Sequence, residues 1–181
     1  MAALHTLFAN IKNNLPLKSH TLLLAIVLTL SACQYDPFAH NYTTEQPNKS
    51  EVVGKYFLET QTIDHKIKEF LEPNSNRIAN PTIRINQDGT YEFKNIPDFK
   101  GIFDHEFKGL VNASGEWSIE TIGTVGDGQG NMKKHWGLVL TGATEELSRI
   151  GFMDNAPYKL IIGFGDPDEG KAMIFKRNLV H

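Results

Sequence analysis

Cysteine is nearly absent from this chain: Cys33 is the only one in 181 residues. A single thiol excludes an intramolecular disulfide and a multi-thiolate zinc centre. Long apolar runs are missing too. The longest is Leu22–Leu28, and a helix needs about 20 apolar residues to cross a bilayer. Positive charge is in short supply: 18 Lys and Arg face 21 Asp and Glu, a formal net charge of −3 with pI ≈ 6.2. That balance argues against a nucleic-acid-binding domain, which is usually basic. There is no repeat of fixed period, no low-complexity segment, no Gly-x-Ser-x-Gly nucleophile elbow and no His-Glu-x-x-His. What remains, 40% hydrophobic and 22% charged, is the composition of one globular domain with something in front of it.

The front segment reads as an address. Residues 1–32 carry Lys12 and Lys18 and no acid, then the run Leu22–Leu30, then Ser31 and Ala32 ahead of Cys33. A basic region, a short apolar core and small residues before a cut describe a secretory signal. Leu30-Ser31-Ala32-Cys33 resembles the lipobox of bacterial lipoproteins. The resemblance implies removal of residues 1–32, acylation of Cys33 with palmitate among the chains, and anchorage in a membrane. Gln34 follows the cysteine, where an Asp often marks inner-membrane retention. The expected location is therefore the outer membrane, facing the periplasm. The removed segment holds two of the 18 basic residues and none of the 21 acidic ones, so the mature chain has a net charge of −5. Such a chain gains little from anionic lipid headgroups, and the acyl chains are left as its main membrane attachment.

Gln34–Ser50 is polar, holds two prolines and shows no periodicity. Residues 33–50 are expected to be a flexible tether, whose Tyr35, Phe38 and Tyr42 could dock on the domain or a partner. The sequons at Asn41, Asn48 and Asn112 read as chance.

Residues 51–181 carry the punctuation of an all-β domain. Val52–Thr60 is an expected strand. Ile63, Ile67, Phe70 and Leu71 have helical spacing and end at Pro73, which predicts one short amphipathic helix before a loop over Asn74–Pro81. Thr82–Asn86 and Thr90–Asn95 alternate around Gln87-Asp88-Gly89, a strong hairpin signal. Pro97–Lys108 reads as a long loop bearing Phe99, Phe103 and Phe107, a lid or a docking loop. Leu110–Thr121, Lys133–Thr141, Ser148–Met153, Tyr158–Phe164 and Lys171–Arg177 are further strands. The expected fold is mainly β: an antiparallel up-and-down barrel of about eight strands with one short helix.

Asp88-Gly89-Thr90-Tyr91, Gly115-Glu116-Trp117 and the ending from Gly165-Asp166-Pro167-Asp168-Glu169-Gly170 through Phe175 and Arg177 occur in that order. Together they resemble a broad group of small bacterial proteins with a lipocalin-like β-barrel. The match spans roughly residues 52–177 and implies a fold more than an activity. Where true lipocalins carry Gly-x-Trp, the first strand has Gly54-Lys55-Tyr56.

Several constellations touch on chemistry. Gly165-x-x-x-x-Gly170-Lys171 nearly spells a phosphate-binding loop, but Ala172 stands where the magnesium hydroxyl belongs. Asp166, Asp168 and Glu169 are hard oxygen donors within one turn, and the Asp127–Asn131 loop begins like a calcium loop. Position twelve of that loop is Leu138, not Glu. His65 with Glu69, and Asp104-His105-Glu106, supply donors that nothing in the sequence brings together. These groups read as solvated turns and surfaces, so no metal, cofactor or catalytic residue is expected. Tyr91, Phe93, Trp117, Trp136, Tyr158 and Phe164 fall on apolar strand faces. They line a cavity for a small apolar ligand or fill a solid core. The expected protein is a monomeric, non-catalytic envelope lipoprotein. It binds a small apolar ligand or an envelope protein and no nucleic acid. A structural or assembly role is the alternative, with a hydrolase behind it.

Overall fold

The computed structural model describes residues 36–63, 80–99, 107–126 and 130–178. Eight antiparallel strands follow one another around a closed barrel: β1 Gly54–Gln61, β2 Thr82–Ile85, β3 Thr90–Phe99, β4 Phe107–Gly126, β5 Met132–Leu140, β6 Arg149–Met153, β7 Lys159–Gly163 and β8 Ala172–Arg177. β8 closes the ring on β1, with Tyr56 opposite Arg177 and Leu58 opposite Phe175. Period-two alternation puts one apolar set inside. Ile83 and Ile85 are buried while Arg84 between them is exposed. Gly89 at φ 89° makes the β2–β3 turn, and the Asp88 carboxylate accepts the Thr90 N–H at 3.0 Å. On the outer face Lys159 pairs with Glu59 at 3.0 Å, tying β7 to β1 across β8.

β3 is longer than its alternation suggests. Pro97–Lys108 is not one long loop: β3 runs to Phe99 and β4 begins at Phe107, with Pro97 opposite Leu110 and Phe99 opposite Phe107. The pattern breaks at a bulge. The register shifts between Phe93 and Ile96, Asn95 takes φ 55°, and its N–H is received by the Asn112 side chain at 2.9 Å. A bulge restores pairing with a changed phase and tolerates a nearby proline. Phe99 is fully buried rather than part of a lid. Phe103 lies outside the described residues, as do most of the expected amphipathic helix and the loop that follows it.

The segment 36–50 is not a free tether. It is a strap laid along the outside of the barrel. Ala39–Asn41 forms one 3₁₀ turn, Tyr42 bridges Met153, and Thr43 sits between β5 and β6. The Thr43 N–H donates to the Phe152 carbonyl at 3.0 Å, and its carbonyl accepts the Trp136 N–H at 3.1 Å. Thr43 thus fills the backbone gap where the two strands diverge, satisfying groups that would otherwise be orphaned. Phe38 and Tyr42 cover a second apolar cluster, Met153, Ile161, Ala172 and Ile174, on the outer face of β6–β8.

After the strap comes a one-turn helix, α1 Lys49–Val52, held by a capping box between Asn48 and Glu51. Val52 is fully buried in the main core. The Tyr56 hydroxyl donates to the Val52 carbonyl at 2.7 Å, and Arg177 donates to the carbonyls of Glu51 and Val53. The last strand therefore fastens the turn that leads into the first.

Candidate functional site

The six aromatic residues that the sequence places on inward faces do come together. Tyr91, Phe93, Trp117, Tyr158 and Phe164 belong to one buried cluster, and Trp136 packs against it half-buried. Their rings meet one another and their neighbours. Tyr91 and Phe93 lie 4.8 Å apart between ring centres, Phe164 and Phe99 4.8 Å, and Tyr158 and Phe152 5.6 Å. Polar atoms at their edges are satisfied by backbone: the Tyr91 hydroxyl donates to Thr141 O at 3.0 Å and Trp117 Nε1 to Asn86 O at 3.0 Å. These contacts are those of a packed interior. Small residues let the shell close, since a Cβ on Gly115 would run into the Thr141 carbonyl oxygen.

The outer face holds the arrangement that the sequence did not reveal. His135 projects from β5 beneath the strap and is only 8% exposed. The Tyr42 ring stacks on the imidazole, with centres 4.0 Å apart and planes 11° from parallel. A Cβ on Gly151 would come within 2.9 Å of the imidazole, so the glycine in β6 makes room for it. Nε2 is buried without a hydrogen-bond partner. Burial holds the His135 pKa below 6.5, opposed by a hydrogen bond at the Phe152 backbone and by the nearby Asp36 charge. Asp36 anchors the strap itself. One carboxylate oxygen accepts the Phe38 N–H at 2.8 Å and the other the Tyr42 hydroxyl at 2.7 Å. Burial, together with that carboxylate, pushes the Tyr42 hydroxyl above its ordinary pKa. Tyr42 and His135 are distant in sequence, and no spacing rule pairs them. The aromatic content of the strap was the one legible hint.

Where the strap passes the β6–β7 turn it leaves a cleft of about 360 Å³. His40, Thr44, Glu45, Asp154, Asn155 and Tyr158 are among its walls. The lining is mostly polar, and Asp154 is partly engaged by Lys159 at 3.8 Å. Such a volume suits a small molecule with several hydrogen-bonding groups. Tyr158 is the sequence-expected residue that reaches this cleft.

The other candidate groups resolve into structural roles or fall outside the described residues. The Asp166 side chain accepts the Asp168 N–H at 3.1 Å and caps the 3₁₀ turn Pro167–Glu169, while Glu169 pairs with Lys171 at 2.7 Å. Gly170 at φ 60° ends that turn. The Gly165–Lys171 segment is thus a strand connection with β8 after it, not a phosphate loop leading into a helix. Among the described residues no group of three or more His, Cys, Asp and Glu side chains is placed to hold a metal. His65, Glu69, Asp104, His105, Glu106 and Cys33 lie outside them. Asp98 is buried in β3 with one carboxylate oxygen unpartnered and the other 3.7 Å from Lys108 Nζ.

No family model, curated protein or solved structure matches this chain.

Proposed function

We propose that this protein is a bacterial envelope lipoprotein, acylated at Cys33 after loss of residues 1–32, with a barrel that serves as a non-catalytic binding module. The anchor reading rests on Leu30-Ser31-Ala32-Cys33 behind a basic and then apolar leader. Acylation also disposes of a lone thiol in an oxidising compartment. The net charge of −5 on the mature chain leaves lipid, not electrostatics, as the attachment.

The observation that carries the binding reading is the contrast between inside and outside. Aromatic side chains pack the interior, while the polar cleft beside the strap stands open. Binding on the outer face, by a small polar ligand or an envelope protein, fits that contrast better than carriage of an apolar ligand within the barrel. Native mass spectrometry of residues 34–181 tests it. A polar ligand mass that disappears in a cleft-filling Thr44→Trp variant supports the reading. A co-purifying apolar ligand that survives Thr44→Trp would return the interior to consideration. For the anchor, Cys33→Ala is expected to leave an uncleaved precursor that takes up no labelled palmitate.

A further inference from the structure

Lipoproteins with a long flexible tether can reach well away from their membrane. The strap removes that freedom here. Asp36 is fixed by Tyr42, Phe38 is packed on the second apolar cluster, and Pro37 lies against Gly170 in the β7–β8 turn. In the sequence only Gln34 and Tyr35 separate Asp36 from Cys33. Three residue steps span at most about 11 Å, however they are arranged.

The start of the strap then shows which end is held. The strap begins at the β7–β8 turn, where Pro37 meets Gly170. It meets the β6–β7 turn first, where the Asn41 carbonyl accepts the Asp154 N–H, then runs antiparallel to β6 past Met153 and Phe152, and α1 leads on into β1. In an up-and-down barrel the β7–β8 turn and the end of β1 share one rim, and the β2–β3 and β6–β7 turns share the other. Thr62, just beyond β1, donates its hydroxyl to Gly170 O, so the end of β1 meets the β7–β8 turn at that rim.

We propose that the barrel is docked on the lipid surface with its β7–β8 rim against the headgroups, the opposite rim and the polar cleft facing away from the membrane. This inference rests on acylation at Cys33. The surface it uses is not a basic patch. Asp166, Asp168 and Glu169 lie in that turn, with Lys171 the paired cation. The short covalent reach, not charge, imposes the orientation. The cleft is thereby presented to the compartment, where a soluble or opposing partner can enter it.

The test places a fluorophore at Asp168→Cys on the near rim or at Gln87→Cys on the far rim. Each full, processed chain is reconstituted in phosphatidylcholine vesicles doped with a lipid bearing a nitroxide on its headgroup. Nitroxide quenches only at short range. Quenching at position 168 is expected to exceed that at position 87 several-fold. A flexible insert of about twelve Gly and Ser residues between Tyr35 and Asp36 is expected to abolish most of the difference. Intact mass reports acylation independently. An acylated, vesicle-bound chain with equal quenching at both sites overturns the orientation and leaves the anchor reading standing. A chain that carries no acyl mass overturns both.

Discussion

At the scale of single residues, buried polar groups in this barrel are worth more than their number suggests. Burial holds the His135 pKa below its ordinary 6.5, against a hydrogen bond at the Phe152 backbone and the nearby Asp36 charge on the strap. The unfolded chain takes up the proton first as pH falls. The contribution of this group is therefore intact above about pH 6.5 and is lost as pH drops through the depressed folded value. Denaturant midpoints are expected to fall from pH 7.5 to pH 5. In His135→Phe, which keeps a flat ring under Tyr42, the slope should be visibly shallower. An unchanged slope would assign the acid sensitivity to other groups. Tyr56 makes a second case. Its pKa is pushed up to about 12, chiefly by burial, and its hydroxyl serves the Val52 carbonyl. Tyr56→Phe leaves that carbonyl unsatisfied and is expected to cost about 1–2 kcal/mol in urea unfolding. Gly115→Ala forces a Cβ onto the Thr141 carbonyl oxygen, a backbone atom that cannot swing aside. A loss of about 2–3 kcal/mol is expected. Gly163→Ala, with open space around it, should be close to neutral in the same assay.

At the scale of elements, the strap is the piece whose role differs most from its composition. It is polar and proline-bearing, yet it docks because a few residues find partners: Asp36 for Tyr42, Thr43 for two strands, Phe38 and Tyr42 for an apolar face. Truncation of residues 34–44 uncovers Met153, Ile161, Ala172 and Ile174. Dye binding at exposed apolar surface should rise, the melting temperature should fall, and the β signature in circular dichroism should survive. Tyr42→Ala alone is expected to cost about 2 kcal/mol, roughly half the value for a fully buried aromatic, because the Tyr42 ring is only half-buried. β3 and β4 show the complementary effect. A bulge at Asn95 carries β3 past Pro97 to Phe99, so a strand continues where local signals spell a loop.

At the scale of the whole molecule, closure is the governing feature. The first and last strands pair across more than a hundred residues of sequence, and such non-local contacts place refolding of residues 34–181 in the millisecond-to-second range. Stopped-flow refolding would check this, and microsecond folding would contradict it. Closure also removes the open sheet edges that would otherwise invite strand addition. The backbone gap between β5 and β6 is filled by Thr43 from the chain itself.

Much of this was legible in the residues alone. Period-two alternation marks Ile83 and Ile85, Tyr91 and Phe93, and Trp117 as core, because each strand buries one face. Asp88-Gly89 marks the hairpin because its backbone demands φ > 0. The proposal of a leader ending before Cys33 rests on sequence alone, since those residues lie outside the described ones. What the tertiary structure decided depends on contacts between distant segments. It closed the ring through β1 and β8 and packed the six inward aromatics. It stacked Tyr42 on His135 and turned an apparent tether into a strap. Local patterns report the face a residue prefers. Which distant surface completes that face is settled only when the barrel exists to offer one.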